Sequence, residues 1–90
     1  VKLIWLDEAL KDLEATFDYI ADKDFAAAQR LHTAIHACAE RLPEHPFMYR
    51  PGRIPGTREA VAHPNYILIY RVTVETVEIV SLVHSRQQYP

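Results

Sequence analysis

Tyr66-Ile67-Leu68-Ile69-Tyr70-Arg71-Val72 is followed, after Thr73 to Thr76, by Val77-Glu78-Ile79-Val80-Ser81-Leu82-Val83-His84-Ser85, and this stretch decides the fold. Both runs are rich in β-branched and aromatic residues, and a polar turn separates them, so they read as two antiparallel strands. A third run, Arg58 to Ala62, precedes them across the turn His63-Pro64-Asn65, which completes a three-stranded meander. Side chains on a strand alternate between faces. The alternation places Tyr66, Leu68, Tyr70 and Val72 on one face, with Ile67, Ile69 and Arg71 on the other. On the last strand it places Val77, Ile79, Ser81 and Val83 against Glu78, Val80, Leu82, His84 and Arg86. The first set of each strand is expected to face a helical layer. The second set then forms a mixed apolar and basic face that needs a cover of its own.

The helical layer lies upstream. Val1 to Trp5 reads as a short strand, and Asp7 stands where an N-cap is expected. Leu10, Leu13, Phe17 and Ile20 recur at spacings of three and four, which predicts a helix over 8–21. Ala21 to Asp24 is a short polar turn, and Asp24 is placed to cap a second helix. Ala28, Leu31, Ile35, Cys38 and Leu42 repeat the same spacing until Pro43 ends it. So short a turn makes the two helices an antiparallel hairpin. Between Pro43 and Thr57 lie four of the six prolines and both glycines, which predicts an ordered loop. The expected class is α+β, one domain over 1–90, in the order β-α-α-β-β-β: an antiparallel sheet with an αα-hairpin packed on one face.

Composition narrows the function. Apolar residues make up 49% and charged residues 24% of 90, which argues against disorder. The single cysteine, Cys38, excludes an intrachain disulfide framework and suits a reducing compartment. Neither a membrane-spanning run nor a signal peptide is evident, so the expected location is cytoplasmic. The net charge of −2 argues against coating of nucleic acid. The charge is uneven, however. Residues 1–46 carry nine acids against five Lys and Arg, whereas residues 47–90 carry three acids against five arginines. Arginine presents a planar bidentate fork, which suits a carboxylate- or phosphate-bearing partner.

Three groups of residues have side chains suited to chemistry. His32 and His36, at i and i+4, are spaced to share a metal but lack a third ligand, so no metal and no cofactor is expected. Cys38 lies on the apolar stripe and reads as a buried structural thiol. Glu59, His84, Arg58 and Arg86 have the residue types for RNA cleavage, with base, acid and phosphate-holding cations. Arg58 and Glu59 nevertheless point to opposite faces of the sheet.

The segments Leu-Asp-Glu-Ala-Leu-Lys-Asp-Leu at 6–13, Tyr-Ile at 19–20, Gly-Arg-Ile-Pro-Gly-Thr-Arg-Glu at 52–59, Tyr-Ile-Leu-Ile-Tyr-Arg-Val at 66–72 and Val-His-Ser-Arg-Gln-Gln-Tyr-Pro at 83–90 together resemble the RelE/ParE superfamily of type II toxin–antitoxin toxins, and the ParE branch most. The resemblance covers essentially the whole chain and implies the same β-α-α-β-β-β fold. It implies a ParD-like cognate antitoxin, a toxin–antitoxin hetero-oligomer, and DNA gyrase as target, with nucleic acid met only indirectly. The alternative it leaves open is a ribosome-dependent endoribonuclease. In that branch the third strand carries a catalytic arginine in a Tyr-Arg-Leu-x-Tyr pattern, and here Ile67 holds the position. On this reading Arg53, Arg58, His84, Arg86 and Tyr89 serve target binding, and Leu13, Phe17, Ile20, Leu31 and Ile35 serve the antitoxin.

Overall fold

The computed structural model describes residues 1–89. The elements run β1 (Lys2–Trp5), α1 (Asp7–Ala21), α2 (Phe25–Arg41), β2 (Arg50–Pro51), β3 (Arg58–His63), β4 (Tyr66–Val72) and β5 (Thr76–His84). The predicted order holds, with a two-residue strand added inside the Pro- and Gly-rich loop. The sheet order is β1-β5-β4-β3-β2. The β2–β3–β4–β5 ladder is antiparallel, and β1 adds to β5 in parallel, from Lys2↔Thr76 to Trp5↔Ile79. The sheet is therefore mixed. The helical hairpin is the crossover that a parallel pairing of the first strand with the last requires.

Each helix starts for a local reason. The Asp24 carboxylate accepts from the Ala27 amide at 3.0 Å and caps α2 as its sequence predicts. Asp7 is not a cap. Leu6 occupies that position, because its amide is still bonded to the Ile79 carbonyl (3.0 Å) before the chain turns. Asp7 and Glu8 instead fill the first turn, where their charge complements the helix dipole. No described helix is long and apolar enough to cross a membrane.

The helices bury one sheet face. Ala9, Leu13, Leu31, Ile35, Cys38 and Leu42 pack on Ala60, Leu68, Tyr70, Val77, Ile79 and Leu82. Leu82 was expected on the opposite face. The cause is a β-bulge: Ile69 pairs with Ser81 but Tyr70 pairs with Ile79, so Val80 is an extra residue on β5. One inserted residue reverses the facing of everything beyond it. Leu82 and His84 therefore join the helix side, while Ser81 and Val83 move to the other face, the reverse of the alternation-based assignment. β1 ends before reaching Leu82, and the Asp12 carboxylate of α1 accepts its amide at 3.0 Å in place of a strand partner. Burial pushes the Asp12 carboxyl above its ordinary value, against the opposing pull of the Leu82 amide.

Candidate functional site on the helix-free sheet face

The second sheet face has its own small core. Ile67, Ile69 and Val83 are buried there, and Val80 and Tyr89 pack on them. The expected exposed apolar patch is thus covered, and the cover is the segment after β5. That segment turns back because the Ser85 amide bonds the Asn65 carbonyl (2.7 Å) and the Gln87 amide bonds the His84 carbonyl (2.8 Å). Tyr89 is thereby brought over the sheet.

Glu59 anchors it. This glutamate, 2% exposed, sits on β3 opposite Ile69 and is the one buried charged side chain among the described residues. One carboxylate oxygen accepts from Arg50 Nη2 at 3.1 Å. The other accepts from the Arg53 amide at 3.0 Å and from the Tyr89 hydroxyl, with Arg53 Nε at 3.8 Å. The Arg53 guanidinium lies over the Tyr89 ring, 4.5 Å from its centre. Burial alone would push the Glu59 carboxyl up. Hydrogen bonds from Tyr89, Arg53 and Arg50 outweigh it and hold the group below the ordinary glutamate value. Burial, followed by the bond to Glu59 and its charge, pushes the Tyr89 phenol up to about 12.

The loop geometry depends on two glycines. Gly56 has φ +83°, and a Cβ on Gly52 would lie 2.6 Å from Thr57 Oγ1. Gly52 closes the loop through its amide to the Thr57 carbonyl at 2.7 Å, which lets Arg50 and Arg53 reach back to Glu59.

The five residues predicted to meet the target do not form one cluster. Arg53 and Tyr89 come together. Arg58 lies on the helix side, where Nη1 donates to the Tyr49 carbonyl at 2.7 Å and the guanidinium faces the Phe47 ring at 5.0 Å. It pins the loop, as does the Tyr70 hydroxyl through the Pro46 carbonyl (2.7 Å). His84 packs edge-on against Tyr66, with ring centres 5.1 Å apart, and its Nδ1 accepts the Arg86 amide. The Arg86 side chain is exposed. Arg50 and Glu59 lie outside those five, and Glu59 enters the sequence reading only among the residue types for RNA cleavage. Their signal was present all the same: Glu59 is one of only three acids among the five arginines of the second half.

The residues predicted to meet the antitoxin also divide. Leu13, Leu31 and Ile35 are buried in the helix–sheet core, and Ile20 packs partly buried against it. Leu13 and Phe17 line a groove of about 480 Å³ between the helices, together with Leu10, Glu14, Gln29, His32 and Thr33. Beside it runs a file of rings: Phe25 to Phe17 at 5.8 Å, Phe17 to His32 at 5.6 Å, His32 to His36 at 4.4 Å and His36 to Trp5 at 5.2 Å. Burial, then the neighbouring His32, lowers the His36 pKa. Among the described residues no three His, Cys, Asp or Glu side chains converge as metal ligands. Cys38 is buried, 3.9 Å from the Tyr49 hydroxyl, and burial raises its pKa.

The family model described as the ParE toxin of the type II toxin–antitoxin system parDE matches residues 3–89. The chain belongs to the ParE toxin family. It is 39% identical to Y4kP of Sinorhizobium fredii over 99% of this chain and 93% of that protein. It is 35% identical to Toxin RelE2 of Caulobacter vibrioides over 93% of this chain and 94% of that protein. The chromosomal ParDE system of P. aeruginosa contains a chain that superposes with a TM-score of 0.85 at 20% identity, covering 93% of this chain and 95% of that one. A chain of the RelBE2 toxin–antitoxin complex of Mycobacterium tuberculosis superposes at 0.69 with 25% identity, covering 92% and 95%. In this ParE-family chain the Gly-Arg-Ile-Pro-Gly-Thr-Arg-Glu stretch builds the Glu59 cluster, and the run ending in Tyr89 closes it.

Proposed function

We propose that this type II toxin arrests growth by binding and inhibiting DNA gyrase, and that a cognate ParD-like antitoxin neutralises it. The observation that carries the first part is Ile67. It is 4% exposed, packed with Ile69 and Val83, at the position where the RNA-cleaving branch carries its arginine. Cleavage by 2′-hydroxyl attack builds negative charge on the phosphate, and loss of one well-placed donor costs about 10²–10³ in rate. Of the other cations of this half, Arg58 is engaged on loop carbonyls, Arg71 on Glu78, and Arg50 and Arg53 on Glu59, which leaves Arg86 exposed at the surface. What remains suits recognition instead. Tyr and Arg over an apolar patch are the residue types that dominate interface energetics.

The helical groove supports the second part. Leu10, Leu13 and Phe17 give it an apolar wall, and an amphipathic helix that orders on contact would cover them. Leu31 and Ile35 lie beneath in the helix–sheet core, with Ile20 packed against it, and support the helices that form the groove.

The test uses one purified sample. Inhibited supercoiling, or stabilised gyrase–DNA cleavage complexes, with mRNA left intact is the expected result. Ribosome-dependent mRNA cleavage with gyrase untouched would refute it and promote the endoribonuclease alternative, to which the likeness to Toxin RelE2 gives support.

A further inference from the structure

We infer that Glu59 is a positioning residue: its buried carboxylate locks Tyr89 and Arg53 onto the helix-free sheet face, and this locked form is the one that engages the target. The inference deepens the binding reading above and rests on it.

Four observations converge. First, Glu59 is almost wholly buried, yet its partners face outward, with the Arg50 and Arg53 side chains 65% and 47% exposed. A buried anion surrounded by exposed cations turns an internal charge into a fixed external surface. Second, the partners come from separate places: Arg50 from β2, Arg53 from the loop, Tyr89 from the segment after β5. One carboxylate thus ties the loop after β2 to the segment after β5. Third, the Tyr89 ring is held on both sides, by Arg53 above and by Ile67, Ile69 and Val83 below. Its hydroxyl bond is the contact that fixes its rotation. Fourth, no buried polar side-chain atom among the described residues lacks a partner, so the lock is complete without a ligand. Ordering these side chains beforehand removes an entropic cost that a free tail would meet on binding, about 0.5–1.5 kcal/mol for each immobilised side chain.

The opposite assignment is that the tail shields the patch and must open. The geometry disfavours it. Opening would take one of three hydrogen-bond donors from Glu59 and expose Ile67, Ile69 and Val83 together, whereas the closed form already presents Arg50, Arg53 and the Tyr89 edge to solvent.

Tyr89→Phe tests this, since it keeps the covering ring and deletes only the donor. Glu59→Gln is the companion variant, keeping side-chain size while removing the charge. Three readouts are taken on each: antitoxin affinity, amide exchange of residues 85–89, and potency measured both as growth arrest and as gyrase inhibition. The expected result for Tyr89→Phe is unchanged antitoxin affinity, faster exchange in 85–89, and potency lower by about ten- to a hundredfold. Glu59→Gln should lose at least as much, and the double variant little more than the worse single one. A freed tail with potency equal to or above the native level would overturn the inference, as would a tail that stays protected in both variants. Growth arrest reports the lock whatever the target is. If the native chain arrests growth but leaves gyrase untouched, the gyrase reading alone falls. If it arrests nothing, both fall.

Discussion

The two faces of the sheet are covered by different means. On one, two helices bury a continuous apolar layer from Ala9 to Leu82. On the other, Val80 and one tyrosine ring pack on three aliphatic residues, and the ring is held by a carboxylate. The first cover is made of many non-directional apolar contacts. The second hangs on a few directional bonds. If the proposed target surface lies on that second face, substitutions on the two faces should separate losses of stability from losses of toxicity.

The largest effect belongs to the helix-side core. Ile79 is fully buried at the junction of β1, β4 and β5. Ile79→Ala should cost about 2–5 kcal/mol, read by denaturant unfolding, and lose antitoxin binding and toxicity together. Removal of residues 84–90, or Arg86→Ala, should do the reverse: toxicity lost, antitoxin binding through the helices largely kept. Equal loss of both activities on removing 84–90 would break the separation of the two faces.

Asp12 comes next. It lies on the helix side, where a helix residue satisfies a strand amide that β1 is too short to reach. Asp12→Ala leaves the Leu82 amide unpaired under α1 and should cost about 1–3 kcal/mol. Asp12→Asn, which still offers an acceptor oxygen, should recover a good part of it.

The bulge also marks the limit of what the sequence discloses. The helical hairpin, its Asp24 cap and the three-stranded meander follow from periodicity, because a period of 3.6 or 2 is written in the residues that form it. A single inserted residue is not. Val80 resembles its neighbours, and only the adjacent pair Leu82-Val83, apolar on both faces, hints that the last strand changes its facing. The Glu59 cluster was half legible. Its residue types and the glycines of its loop stand in one short segment. Their convergence required knowing that Tyr89 folds back across the sheet, a tertiary fact set by hydrogen bonds at Asn65 and His84.

The lock should also respond to pH at both ends. The folded Glu59 carboxyl lies below its ordinary value, so the fold favours the ionised form. That contribution is complete above the unfolded glutamate pKa and is lost as pH falls through the folded one. Tyr89 is shifted the other way, from 10.0 to about 12, so its contribution is complete below the unfolded value and is lost as pH rises towards about 12. The protection of the 85–89 amides, taken relative to their intrinsic exchange rate at each pH, should fall at both extremes while the helices stay protected. Tyr89→Phe should abolish the alkaline limb, and Glu59→Gln the acid one.

The smallest effect comes from an ion pair on the same sheet at the far end of the ladder. Arg71 and Glu78 are directly opposed on β4 and β5, with Nε 2.5 Å from Oε1. The pair is shorter than the Arg50–Glu59 contact, yet its position makes it weaker in effect. Arg71 is 51% and Glu78 20% exposed, so water can replace either partner once the other is gone. Arg71→Ala should cost no more than about 1 kcal/mol and leave toxicity and antitoxin binding alone. Glu59 has no such substitute. Water cannot easily reach its carboxylate, and its removal deprives a hydroxyl, an amide and two guanidinium groups of one acceptor. Setting Arg71→Ala beside Glu59→Gln therefore tests burial against distance as the determinant of an ion pair's worth here. Equal losses from the two would mean that the outer face is held by charge in general, and the special place given to Glu59 would have to be withdrawn.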